Sequence, residues 1–164
     1  MSHVANELAS QPECWNRAAE LAASRVGGLP AAGERVAFVG CGTSLFMSQA
    51  AAALREGAGQ GESDAFAASE FPLGRTYDRV VALTRSGTTT EVLELLARLR
   101  GRTRTTAITA DPATPVMTVA DETVVLDFAD ERSVVQTRFA TTALTLLRAH
   151  TGLHSDAVVD DARD

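Results

Sequence analysis

Apolar residues in this chain come in short unbroken runs that end in glycines and hydroxyls. Val36-Ala37-Phe38-Val39 leads into Gly40-Cys41-Gly42-Thr43-Ser44, and Val80-Val81-Ala82-Leu83 leads into Thr84-Arg85-Ser86-Gly87-Thr88-Thr89. A run that is apolar at every position and punctuated this sharply reads as a parallel strand covered on both faces, since a strand with one wet face would alternate. After each run the spacing becomes helical, over Leu45 to Arg55 and over Val92 to Leu99. Further strands are predicted at Ser63 to Ser69, Arg102 to Thr109 and Thr123 to Phe128. Further helices are predicted at Pro115 to Ala120 and Val134 to His150. Before the first strand, residues 1–28 read as a helical arm with Cys14, Trp15, Ala18, Leu21 and Ala22 on a partly apolar face, stopped by Gly27-Gly28-Leu29-Pro30.

Strands that alternate with helices imply right-handed crossovers and a parallel sheet. The expected fold is α/β: a three-layer αβα sandwich with five strands in the flavodoxin-like order 2-1-3-4-5. In that order the first and third strands are neighbours whose helices leave to opposite faces. Gly42, Thr43 and Ser44 then meet the Thr84–Thr89 loop at the topological switch point, where open α/β sheets bind ligands. The first backbone N–H groups of a helix lack partners inside it and carry the positive end of its dipole, so an anion suits both loops. Gly87 lets backbone come close, while Thr84, Ser86, Thr88 and Thr89 offer uncharged donors suited to a small phosphomonoester. The plainer reading of any one hydroxyl is a helix N-cap, but one cap needs one hydroxyl and four surround Gly87. Gly40 and Gly42 also begin a dinucleotide fingerprint, but Leu45 occupies the place of its third glycine, which weakens a nucleotide-binding reading.

Composition narrows the function. The 164 residues suffice for one domain, 45% of them are hydrophobic, and the net charge of −6 with no basic cluster excludes a nucleic-acid surface. Cys14 and Cys41 lack metal-ligand spacing and point to a reduced, cytoplasmic protein. Neither a metal nor a cofactor is expected. The chain starts without a signal-peptide pattern, and no apolar run is long enough to span a bilayer. His3, His150 and His154 lie outside both loops and form no triad. Glu70 and Glu131 are the carboxylates placed for local chemistry, against the plainer reading of solvated helix-start residues. Trp15 reads as core or interface packing rather than ligand stacking. The long Val134–His150 helix and the Trp15 arm together offer apolar surface that predicts self-association, the alternative being a monomer whose own arm covers that helix. Residues 152–164, rich in aspartate, read as a linker or tail.

Four motifs in order carry a family resemblance: Gly40-Cys41-Gly42-Thr43-Ser44, Ala68-Ser69-Glu70-Phe71, Thr84-Arg85-Ser86-Gly87-Thr88-Thr89, and Glu131-Arg132-Ser133-Val134-Val135-Gln136-Thr137-Arg138 followed by Thr141-Thr142. Together they resemble the first sugar isomerase (SIS) domain of the isomerase half of glucosamine-6-phosphate synthase. The likeness is closer still to the stand-alone two-domain sugar-phosphate isomerases and deaminases of that superfamily. The resemblance runs from the arm to about His150 and implies an arm at 1–28, an SIS domain at 29–151, and a tail or linker to a second SIS domain at 152–164. It implies that Ser44, Thr84, Arg85, Ser86 and Thr89 hold the phosphate of a hexose or amino-sugar phosphate. Gly42, Thr43, Gly87, Thr88, Val134 and Gln136 would line the pocket. Thr84 stands where the family often has Ser, Arg85 where the synthase has Gln, and Thr88 where Glu is common. The family's catalytic carboxylate, ring-opening His and C-terminal Lys belong to the second domain and tail, so no residue here inherits those roles. The implied partners are a sugar phosphate and a second copy or second SIS domain. The implied activity is half of an aldose–ketose isomerase or deaminase, with a non-catalytic sensing module as the alternative.

Overall fold

The computed structural model describes residues 3–133, 135–153 and 157–161; Val134 and His154 lie outside them. Helices α1 (His3–Ala9) and α2 (Gln11–Ala23) come first. They are followed by β1 (Val36–Gly40), α3 (Thr43–Gly57), β2 (Ser63–Ala67), β3 (Arg79–Leu83), α4 (Thr90–Leu99) and β4 (Arg104–Thr109). The chain continues through α5 (Val116–Val119), β5 (Glu122–Val125), α6 (Arg138–His150) and α7 (Ala157–Asp161). All five strands pair in parallel in the order β2-β1-β3-β4-β5, as the alternation of elements predicted.

Two cores explain the unbroken apolar runs. On β1, Val36 and Phe38 enter one core while Ala37 and Val39 enter the other. On β3, Val81 and Leu83 part from Val80 and Ala82 in the same way. The first core is closed by α2, α3 and α6 through Ala18, Ala51, Phe139 and Leu146. The second is closed by α4 and α5 through Val92, Leu96, Leu99 and Val116. Each fully buried side chain of the size of Phe38 or Leu96 contributes about 1.5–3 kcal/mol, so both faces of the sheet are strongly held.

The sheet is fastened at its N-terminal edge by polar groups. Arg79, 3% exposed at the start of β3, sends Nε to Glu34 Oε2 at 3.1 Å and Nη1 to Glu122 Oε2 at 2.5 Å. Nη1 also donates to Gly28 O at 2.9 Å and Thr106 Oγ1 at 2.8 Å, and Arg104 pairs with the other oxygen of Glu122. This network ties the end of the arm to the sheet.

Three expectations change. Helix α6 begins at Arg138, where the carboxylate of Glu131 caps it from upstream; Val135 to Thr137 are not helical, and Val134, the expected start, lies outside the described residues. The arm lies on α6: Trp15 Nε1 donates to Thr141 Oγ1 at 3.0 Å, and Cys14, Ala18 and Ala22 join the core. The apolar face of α6 expected to drive self-association is therefore covered by the chain itself. Within 152–164, residues 157–161 form the short helix α7, anchored by the buried Val159. Among the described residues no helix is long and apolar enough to cross a membrane.

Candidate functional site

Strands β1 and β3 pair from Val36 opposite Arg79 to Val39 opposite Ala82, so they end side by side and deliver their loops to one place. A Cβ on Gly40 would stand 2.7 Å from the carbonyl carbon of Ser44, so only glycine lets β1 turn so directly into α3. Neither the start of α3 nor that of α4 is capped by its N-cap side chain. The N-cap reading of the hydroxyls is not realised at Thr89. The hydroxyls face one another instead: Thr84 Oγ1 donates to Thr89 Oγ1 at 3.4 Å, and Thr88 Oγ1 and N donate to Ser86 Oγ at 3.0 and 3.3 Å. Ser44 and Thr84 are buried, and Ser44 Oγ lies 3.5 Å from Gln136 Oε1 across the gap between α3 and the loop before α6.

Gly87 has φ +62°, and a Cβ there would fall 2.0 Å from Thr114 Oγ1 and 2.9 Å from Val116 Cγ1. Its close approach is thus to the segment entering α5, whose Val116 N–H donates to Gly87 O at 3.2 Å.

Segment 130–137 frames the other side. Arg85 Nη1 donates to Glu131 O at 2.7 Å and to Asp130 Oδ1 at 3.2 Å, which braces the Thr84–Thr89 loop against this segment. Glu131 is 2% exposed. Its Oε2 accepts from Thr137 N at 2.8 Å, Arg138 N at 2.9 Å and Thr137 Oγ1 at 3.2 Å, and its Oε1 accepts from Phe139 N at 3.1 Å. The helix-start reading of this carboxylate is the one realised, buried rather than solvated. The start of α6 is filled by an anion of its own chain, whereas the N-cap residues of α3 and α4, Gly42 and Thr89, make no side-chain cap, and Ser44 N and Leu45 N donate to Cys41 O and Gly42 O at 3.2 and 3.0 Å. Glu70 is exposed on the 3-10 turn Ala68–Glu70.

Nothing in the sequence singled out Glu7. It lies on α1, yet it is 4% exposed, and its Oε1 accepts from Arg132 N at 2.7 Å and Ser133 N at 3.3 Å. Ser133 Oγ donates a short bond to Oε2, and that bond holds the carboxyl below the usual carboxylate range. Nearby, Arg138 joins Ser10 Oγ at 3.0 Å and Asp130 O. Glu7 and its partners, and Arg138 and Ser10, are more than a hundred residues apart in sequence, beyond any periodicity or motif. At the end of β1, burial pushes the Cys41 thiol up, so it stays protonated and unreactive at neutral pH. Among the described residues no cluster of His, Cys, Asp and Glu could hold a metal ion.

A cleft of about 690 Å³ lies at the far end between α2 and α6, lined by Ala22, Val26, Leu29, Ala149 and His150. It shares no residue with either hydroxyl loop. His150 Nε2 sits there 2.7 Å from Pro30 O.

No family model and no curated protein matches the sequence. Solved structures do. The C-terminal domain of glucosamine-fructose-6-phosphate aminotransferase from Francisella tularensis superposes with a TM-score of 0.76 at 20% identity, over 99% of this chain and 49% of that one. Glucosamine-6-phosphate deaminase from Thermotoga maritima gives 0.74 at 22% identity, over 98% and 52%. The chain has the fold of sugar-phosphate isomerases and deaminases. The SIS resemblance read from the motifs holds at the level of the fold. An Escherichia coli CFT073 protein in complex with A5P shares this SIS-type fold with a TM-score of 0.65 at 18% identity, over 90% of this chain and 87% of that one. The present chain spans about half the length of the first two.

Proposed function

We propose that this chain binds a sugar phosphate at the β1/β3 switch point. The phosphate is held by Ser44, Thr84, Ser86 and Thr89 with the backbone N–H groups that open α3 and α4, and Gly42, Thr43 and Thr88 line the pocket. The sugar extends toward Gln136. Arg85 contributes by bracing the phosphate loop, and its guanidinium is the group that could swing to the ligand. The observation that carries this reading is the pair of helix starts, side by side and without side-chain caps, ringed by hydroxyls, next to a third helix whose start is filled by the carboxylate of Glu131. The overlap with half of longer sugar-phosphate enzymes supports a role as one half of an isomerase or deaminase, with the reacting groups supplied by a second copy or a second domain.

Sensing without catalysis is the second reading. It is favoured by the engagement of both Glu131 oxygens in capping, which takes that carboxylate out of the role of a base. Exposed Phe46 and Val135 flank Ser44 and Gln136 and suit a homodimer or second-domain contact on that side. The two free cysteines fit a reducing cytoplasm.

Calorimetric titration tests the binding. Glucose 6-phosphate is expected to bind at millimolar to high micromolar strength, glucose far more weakly, and Ser86→Ala to weaken the phosphate ester alone. Equal affinity for the ester and the free sugar would sink the phosphate assignment.

A further inference from the structure

Gln136 reaches the buried Ser44 from segment 130–137, and the backbone of that segment is gripped from outside the sheet by Glu7. Helix α1 is seven residues long, too short to persist by itself, and Glu7 is the side chain it buries; Val4 and Leu8 stay exposed. The helix is thus held in place by polar contacts rather than by apolar packing.

We propose that Glu7 is a positioning residue. By fixing the Arg132–Ser133 backbone it sets Gln136 against Ser44, so the sugar end of the site forms only when α1 is docked. The assignment of that end to a sugar rests on the function proposed above.

The geometry separates the two ends of the ligand. The carboxylate of Glu7 collects Arg132 N, Ser133 N and Ser133 Oγ, three donors from two consecutive residues, which fixes the backbone just ahead of Gln136. On the far side the same segment is pinned independently, through Arg85 to Glu131 O and through Glu131 to the start of α6. Loosening Glu7 therefore frees Arg132 and Ser133 and leaves both anchors in place. The phosphate donors sit on α3 and on the β3–α4 loop, which Glu7 does not touch. Loss of Glu7 is felt by the sugar and not by the phosphate.

The test uses the full chain with Glu7→Gln and, as a milder variant that deletes one hydroxyl, Ser133→Ala. Glutamine keeps the shape and can still accept from Arg132 N, but its amide nitrogen cannot accept from Ser133 Oγ. Affinities for inorganic phosphate and glucose 6-phosphate are measured by calorimetry, and amide hydrogen exchange is followed at residues 132–137. The expected result is phosphate affinity within about twofold of wild type, glucose 6-phosphate affinity weakened about five- to tenfold, and faster exchange at 132–137 with the sheet unchanged. Equal losses for both ligands would make Glu7 a general support of the fold and overturn the proposal. Unchanged sugar-phosphate affinity with unchanged exchange would overturn it too. A wild-type chain that binds neither probe removes the parent reading and the sugar assignment with it. The exchange measurement still reads whether Glu7 holds the segment, so the two failures are told apart.

Discussion

What stands over Gly87 is Thr114, not a ligand, and this sets the strictest demand on any single position near the site. A side chain there meets both the left-handed backbone and the Thr114 hydroxyl. Gly87→Ala is expected to cost about 2–4 kcal/mol from the two effects together, read as a lowered midpoint in urea. A melt superimposable on wild type would mean that the α5 entry yields and that the glycine is not structural. At this scale the sequence disclosed residue types but not partners. The hydroxyls and glycines of Thr84–Thr89 announced an anion loop because they are adjacent. The resemblance gave Arg85 to the phosphate, yet its guanidinium holds Glu131 O, 46 residues away, and local sequence cannot report such a contact. Glu7 was invisible for the same reason.

The elements were legible wherever burial on two faces wrote an unbroken apolar run, as on β1 and β3. They were illegible where a side chain acted at a distance. Apolar spacing carries through Val134 into α6, but the helix begins at Arg138, where the carboxylate of Glu131 caps it. The edge of the sheet holds another such group. Burial works to raise the Glu122 carboxyl, but Arg79 and Arg104 outweigh it and hold the group below its ordinary value. A depressed carboxyl contributes stability that is present above its unfolded pKa and lost as pH falls through its folded pKa. Glu122→Gln is therefore expected to destabilise the chain by about 1.5–3 kcal/mol at neutral pH, since it leaves buried Arg79 short of a charged partner. The gap from wild type should close below about pH 4. Thermal melts of both proteins across that range check it, and a gap independent of pH would show that Arg79 does not need the charge.

As a whole molecule the chain offers two helix starts at one switch point, and among the described residues neither Glu131, Glu70 nor His150 is placed as a free base beside them. Orienting donors bind substrate and transition state alike, so binding by itself does not lower the barrier. Aldose–ketose interconversion needs a base within hydrogen-bond reach of that proton and a group to polarise the carbonyl. The oxygens of Glu131 are engaged by α6, Glu70 is exposed, and His150 lies at the opposite end of the sheet. The purified chain is therefore expected to leave the exchangeable carbon-bound proton of fructose 6-phosphate in place in labelled water, as followed by NMR. Exchange at an enzymatic rate that disappears in Glu131→Gln would put the base in this chain. The order of the sheet, and with it the meeting of the two loops, was legible from the alternation of strands and helices. The covering of α6 by the arm was legible only as the alternative to self-association, because an apolar helix face does not name what packs on it.

The central claim is that an anion sits at the paired starts of α3 and α4, and the most direct measurement is an amide NMR titration of the nitrogen-labelled chain with glucose 6-phosphate. The account predicts that the largest shifts fall on the amides of residues 42–45 and 86–91, with little response to glucose at the same concentrations. Shifts confined to residues 22–31 and 149–152 beside the large cleft, or shifts of equal size with glucose, would contradict it.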